Sequence, residues 1–401
     1  MSRVTIRFWL LQLFAFVLAL SRMPGGVHTD EAKYLLSIPY PHPPLLRSLF
    51  ALLRELPQQE LLLRFLIASA VVQGAWFLID IGYVLSSLRR KALALSWFLS
   101  AAVLLQAGTV MMAPLSGLFG LFCVWIALRP KPIDRRSAPM VGCLWLLALF
   151  SAYQTVLYAP LLLGVLHAAH VSRRKQFLYL GLPLLLLGLY TLGNPLALAS
   201  FAHAGTQDTP LALHLRFSNV LQLCIVAGSL VTTFVGIVGI FGSGRPDFIV
   251  TLLLLLGFVA VTAQDYYAIL LTPVFCAGVM FLLSKRRISG EVFIPLQILS
   301  AAVLLYHFFP RTAALPARDT MRFLQSQGVS GLVLIDGYFG HEWQYESRGA
   351  RIGRFTQTLS SEAETEASAI VCTKKTCEED VGDGWAELEG APIETWIKRS
   401  K

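Results

Sequence analysis

Apolar runs of 15 to 25 residues recur along this chain from Ile6 to Phe309, separated by short polar loops, and the pattern stops near Pro310. Runs of this length match the hydrocarbon thickness of a bilayer when helical. They predict a polytopic α-helical membrane protein with about eleven transmembrane helices, near 5–21, 61–85, 92–108, 112–128, 138–150, 154–171, 176–192, 219–241, 248–262, 269–283 and 292–309. The first run has a second reading as a cleaved signal peptide, because Arg3 and Arg7 precede an apolar core and Ala19-Leu20-Ser21 resembles a cleavage site. An uncleaved helix is the expectation carried forward.

Two regions outside the spans show patterns of their own. After Pro43 and Pro44, which suit a helix start, Leu45, Leu46, Leu49, Phe50, Leu52, Leu53 and Leu56 follow at helical spacing up to Pro57. Such a helix either lies flat in the membrane interface or packs on neighbouring spans. Residues 310–401 read as a small α/β domain. A helix is expected over Arg318–Gln327, stopped by Gly328, with short buried strands at Gly331–Ile335 and Ala369–Cys372. The predicted division is therefore 1–309 for the membrane domain, including the first loop 22–60, and 310–401 for the soluble one.

Charge orients these elements. The chain is 55% hydrophobic and 14% charged, with net charge +9, but residues 1–309 hold 22 Lys+Arg against 10 Asp+Glu, whereas 310–401 hold 11 against 14. The basic excess thus belongs to the membrane part, not to a nucleic-acid surface. It sits in alternate loops: Arg3 and Arg7, Arg89-Arg90-Lys91, Arg129 to Arg136, Arg173-Arg174-Lys175, Arg245, and Lys285-Arg286-Arg287. Under the positive-inside rule these face the cytoplasm, which puts the N-terminus inside and turns 22–60, 109–113, 151–154, 193–218, 263–268 and the C-terminal domain outward, to the periplasmic side of an inner (plasma) membrane. Cys123, Cys143, Cys224 and Cys276 fall in apolar runs and read as small hydrophobes, whereas Cys372 and Cys377 lie in the outward domain, where a disulfide is permitted.

Candidate chemistry concentrates just after the first span. Asp30-Glu31-Ala32-Lys33-Tyr34 and Tyr40-Pro41-His42-Pro43-Pro44-Leu45 place two carboxylates, an ammonium and an imidazole within thirteen residues at a membrane surface. A carboxylate there is suited to engaging an acceptor hydroxyl or amine, and Lys33 with His42 to neutralising a phosphate. The plainer alternative is a solvated loop with incidental charge. Asp80, the acid deep in a span, lies near the inner end within reach of Arg89 or Arg90 and reads as structural.

These motifs resemble those of membrane glycosyltransferases of the GT-C class, in particular bacterial relatives of protein O-mannosyltransferases and of the aminoarabinose transferase of lipid A. Members carry an Asp-Glu pair after the first span followed by a basic residue and a tyrosine, here Asp30, Glu31, Lys33 and Tyr34. Some dozen residues later they carry an aromatic, an acid, a His or Lys and Pro-Pro-Leu, here Tyr40, Pro41, His42, Pro43, Pro44 and Leu45. The resemblance covers the first 60 residues closely and the span count, topology and outward domain in outline. It implies transfer, with inversion, of a sugar from a polyprenyl-phosphate donor to an envelope lipid, glycan or protein on the periplasmic side. In that reading Asp30 and Glu31 are the catalytic carboxylates, Asp30 engages the acceptor, and Lys33, Tyr34 and His42 meet the substrates.

Two departures bear on this. Pro41 stands where relatives have an acid that helps hold a metal, so no obligatory metal is expected, though a divalent ion is compatible. Ala152 stands where relatives have a phosphate-binding Lys, leaving Tyr153 and Gln154 to line the cavity. Tyr266 and Tyr267, before Leu270-Leu271-Thr272-Pro273, resemble another family segment, with an interfacial aromatic belt as the alternative. In the outward loop 193–218, with His203, Asp208, His214 and Arg216, Arg216 is a candidate for the lipid phosphate or for ordinary headgroups. Membrane lipids are the further expected partners. Two other functions compete: a transporter or lipid flippase, whose repeated halves, matched broken helices and midplane charges are not evident in the sequence, and a non-catalytic scaffold of the same class.

Overall fold

The computed structural model describes residues 3–38, 42–53, 56–81, 87–129, 133–204, 213–262, 264–285, 287–308, 316–336, 340–347, 351–355, 366–373 and 384–398. Its helices are α1 (Arg3–Arg22), α2 (Thr29–Leu35), α3 (Pro44–Ala51), α4 (Gln59–Ile81), α5 (Ser87–Phe98), α6 (Ala101–Gln106), α7 (Ala113–Ala127), α8 (Ala138–Ser151), α9 (Ala159–Ala168), α10 (Arg173–Gln176), α11 (Leu182–Leu192), α12 (Pro195–Ala204), α13 (Leu213–Ser243), α14 (Pro246–Thr262), α15 (Thr272–Ser284), α16 (Gly290–Phe308), α17 (Pro316–Ser326) and α18 (His341–Glu346). Among the described residues five strands follow in the same order: β1 (Leu332–Asp336), β2 (Arg351–Phe355), β3 (Ala367–Cys372), β4 (Trp385–Glu387) and β5 (Thr395–Lys398). They form two compact units. One joins Met1–Ser21 to Pro39–Arg311, and the other joins Arg22–Ile38 to Thr312–Lys401. The first loop, expected whole within the membrane part, is divided between them.

The first unit is helical. Among the described residues five stretches are long and apolar enough to cross a membrane: Thr5–Arg22, Gln59–Asp80, Arg173–Leu192, Phe217–Ser243 and Asp265–Ser284. Shorter apolar helices at Ala113–Ala127, Ala138–Ser151, Pro246–Thr262 and Gly290–Leu304 accompany them, the make-up of a helical membrane protein. Starts are set by proline, which fixes φ and lacks the N–H that a first turn leaves unpaired; it occupies the first or second position of α3, α7, α8, α9, α11 and α15. The same device starts α12 at Pro195, inside the stretch expected as an open loop. The first-loop helix α3 has the neighbour-packing geometry of its second reading. It packs on α8 through one side, with Leu46 and Phe50 buried, and leaves Leu45 and Leu49 exposed on the other.

A break inside α13 meets the break between α5 and α6. In α13, Ser229 adopts φ 58°, ψ 172°, which an L side chain rarely takes, and the chain between α5 and α6 breaks before Ser100, the N-cap of α6. Both Ser100 Oγ (2.7 Å) and Thr272 Oγ1 (2.8 Å) donate to the Ala227 carbonyl freed at the α13 break. Ser229 and Thr232 donate to Gln297 Oε1 on α16, each at 2.7 Å. Side chains thus replace the lost backbone bonds, as a membrane interior requires. Farther along, α13 and α15 approach so closely that a Cβ on Gly239 or Gly278 would run into the partner backbone.

The second unit is α/β. Its sheet has order β2-β1-β3-β5-β4, with β1 parallel to both β2 and β3, β5 antiparallel to β3, and β4 antiparallel to β5. Period-two alternation sends Val333, Ile335, Ala369 and Val371 to one face, against Ala317, Met321 and Leu324 of α17 and Trp343 of α18. Leu334, Ile370 and Cys372 face the other way, with Trp385. The expected helix and both expected strands are present within a residue or two. Cys372 is disulfide-bonded, and its expected partner Cys377 lies outside the described residues.

Candidate functional site

In the α/β unit, α2 carries four of the candidate residues. Glu31 is 1% exposed and its Oε2 accepts the backbone N–H of His28 at 3.0 Å, closing the first turn of α2 in the manner of a capping box. Tyr34, three residues on, is buried. Asp30 points the other way, partly open to solvent, with Lys33 Nζ 3.0 Å from Oδ1 one turn later. The two adjacent carboxylates therefore have different environments, one enclosed in a cap and one accessible.

Unit-internal bonds hold this helix. Thr29 Oγ1 donates to Glu342 at the start of α18, and Arg318 of α17 donates to the Met23 carbonyl. Arg318 is itself buried and paired with Glu346 at 2.7 Å. Gly26, at φ +75°, turns the chain directly over the Arg318 side chain, where a Cβ would lie 3.2 Å from that of Arg318. Gly340 leaves no space for a Cβ between Thr29 and Glu342.

The helical unit gathers the others at the end predicted to face outward. His42 Nδ1 lies 2.7 Å from Met112 Sδ, and its ring is 6.1 Å from that of Tyr153. Gln154 Nε2 donates to the Tyr267 hydroxyl at 2.8 Å, and Tyr266 packs on Tyr267 with ring centroids 4.4 Å apart. Three distant segments are thereby joined: the first loop, the 3-10 turn Tyr153–Tyr158, and the 3-10 turn Asp265–Leu270. Burial pushes the Tyr153 phenol above its ordinary range, opposed by a hydrogen bond with Thr191. Beside this group a groove of about 320 Å³ opens between α4, α7 and α8, with Phe77, Phe119 and Phe122 along it and Ser151 and Thr155 at the predicted outward end.

Other expected positions divide. Asp80 is 3.6 Å from Arg90, the structural pairing expected of it. Tyr40, Pro41 and Asp208 lie outside the described residues, as do the side chains of His203, His214 and Arg216. Among the described residues no three His, Cys, Asp or Glu side chains group to hold a metal ion. Arg64 was not anticipated: it is 1% exposed, bonded to Glu60 at 2.9 Å and to the Gly108 carbonyl at 3.0 Å. A lone arginine within Leu61–Leu66 was the signal available. Comparison with known proteins returns no matching family model, no similar curated protein and no similar solved structure.

Proposed function

We propose that this chain is a membrane glycosyltransferase of the GT-C kind, with eleven spans and an outward α/β unit, that moves a sugar from a polyprenyl-phosphate carrier to an envelope acceptor. The observation that carries the reading is the apolar groove of about 320 Å³ beside the Tyr153–Gln154 turn, a site suited to an isoprenoid chain with its phosphate at the membrane surface. His42, Tyr153, Gln154, Tyr266 and Tyr267 then contact the donor headgroup, with Arg216 a further phosphate contact. Asp30, the accessible carboxylate of α2, engages the acceptor. Lys33, 3.0 Å away, orients it, and Glu31 with Tyr34 fixes the helix that presents it. No obligatory metal enters this scheme.

Mass spectrometry of envelope lipids and glycans from cells lacking the protein tests it. Wild type restores a defined sugar increment and Asp30→Asn does not; restoration by Asp30→Asn at normal protein level removes the proposed role.

One observation favours a transporter or flippase instead. The break at Ser229, joined to the break at Ser100 through the Ala227 carbonyl, is the kind of interrupted helix that transporters use near the midplane. Lipid flipping or solute uptake in vesicles containing the purified protein, undiminished by Asp30→Asn, would put that reading first.

A further inference from the structure

At the end of the helical unit opposite the aromatic group, a cavity of about 410 Å³ lies between α1, α4 and α5. Its walls are mainly hydrocarbon, Leu10 and Trp76 among them, and its charged residues among those described are Arg7, Asp80, Arg90 and Lys91. Asp80 and Arg90 form a loose pair at 3.6 Å with both side chains well exposed. That leaves two cations, and neither Arg7 nor Lys91 has an ion-pair partner among the described residues.

Arg7 and Lys91 are exposed and line the same apolar-walled cavity, so their positive charge attracts an anion seated there. The hydrocarbon walls specify the rest of the ligand. A soluble anion gains nothing from Leu10 or Trp76, and a zwitterionic lipid brings no net charge. From the cavity α1 continues as an exposed apolar stripe, Leu10, Leu13 and Val17 at 59%, 58% and 52% exposure, along which an acyl chain would run.

We propose that this cavity binds the headgroup of an anionic glycerophospholipid, its phosphate between Arg7 and Lys91 and its chain along α1. The site is separate from the proposed transfer reaction and does not depend on it. Basic pockets between membrane helices recognise anionic headgroups in this way, each cation near the surface contributing about a five-fold gain in affinity.

Titration of the purified full-length chain in detergent with phosphatidylglycerol, and separately with phosphatidylcholine of the same chains, read by native mass spectrometry, tests the site. Wild type should bind phosphatidylglycerol more tightly. Arg7→Gln combined with Lys91→Gln should weaken it by about 30-fold and leave phosphatidylcholine unchanged, from the same per-cation gain. Asp80→Asn, which removes the acid competing for Arg90, should tighten it. Equal affinity for the two lipids in wild type, or unchanged phosphatidylglycerol binding in the double variant, overturns the proposal. Should the double variant not accumulate, unchanged or weaker binding by Asp80→Asn overturns it as well.

Discussion

The two halves of the first loop, Arg22–Ile38 and Pro43–Leu53, differ in what holds them. The first half adds polar contacts to its buried Val27, Ala32 and Leu35: Glu31 to the His28 N–H, Thr29 to Glu342, and the Met23 carbonyl to a buried arginine. The second half is fixed by apolar burial, with Leu46 and Phe50 sunk against α8. Among the charges of the first half, Glu31 is architectural. Of its two adjacent carboxylates only Asp30 remains accessible for chemistry, and it already has an ammonium partner in Lys33.

The sharpest way to break this comparison is to remove the charge pair under the first half. Glu346→Ala strands a buried Arg318 and should cost about 3–5 kcal/mol in the α/β unit, read as faster amide hydrogen exchange throughout β1, β3 and α2; unchanged exchange in α2 would show that the polar contacts do not hold it. In the helical unit, Tyr267→Phe leaves the Gln154 amide unpaired and should cost about 1–3 kcal/mol, whereas Gln154→Leu with Tyr267→Phe, which removes both polar partners, should recover much of that loss in thermal unfolding. Smaller again, Glu31→Ala removes a cap and should cost about 1 kcal/mol, confined to exchange in α2. Asp30→Asn should change stability least, since a partly exposed pair contributes roughly 0–1 kcal/mol.

Much of the helical unit was legible because long apolar runs leave few alternatives: the described residues of the apolar runs are largely helical, and five stretches are long and apolar enough to cross a membrane. Strands β1 and β3 were legible from their short apolar patterns. The interruption at Ser229 was not, because a serine inside an apolar run carries no local signal. Its geometry depends on Ser100, Thr272 and Gln297, which are 45 to 127 residues away along the chain from the groups they meet on α13. The same limit applies to the candidate site. Sequence gave the residue types at Asp30, Glu31, Tyr153, Gln154, Tyr266 and Tyr267, but the contrast between a capping Glu31 and an accessible Asp30, and the bond from Gln154 to Tyr267, follow from tertiary contacts alone. Nor did spacing reveal that the first loop divides after Ile38, since the groups that hold its first half, Arg318, Glu342 and Glu346, lie some 300 residues later.

The proposed division of roles is that Asp30 takes part in sugar transfer while Glu31 positions the helix that bears it. Its direct test is release of polyprenyl phosphate from a membrane-extracted polyprenyl-phosphate sugar pool, by purified protein in nanodiscs supplied with envelope acceptor extract, comparing wild type, Asp30→Asn and Glu31→Gln. The account predicts release by wild type, a loss of about 10²–10⁴-fold in Asp30→Asn, and most of the activity kept in Glu31→Gln. Release by Asp30→Asn at the wild-type rate would contradict it.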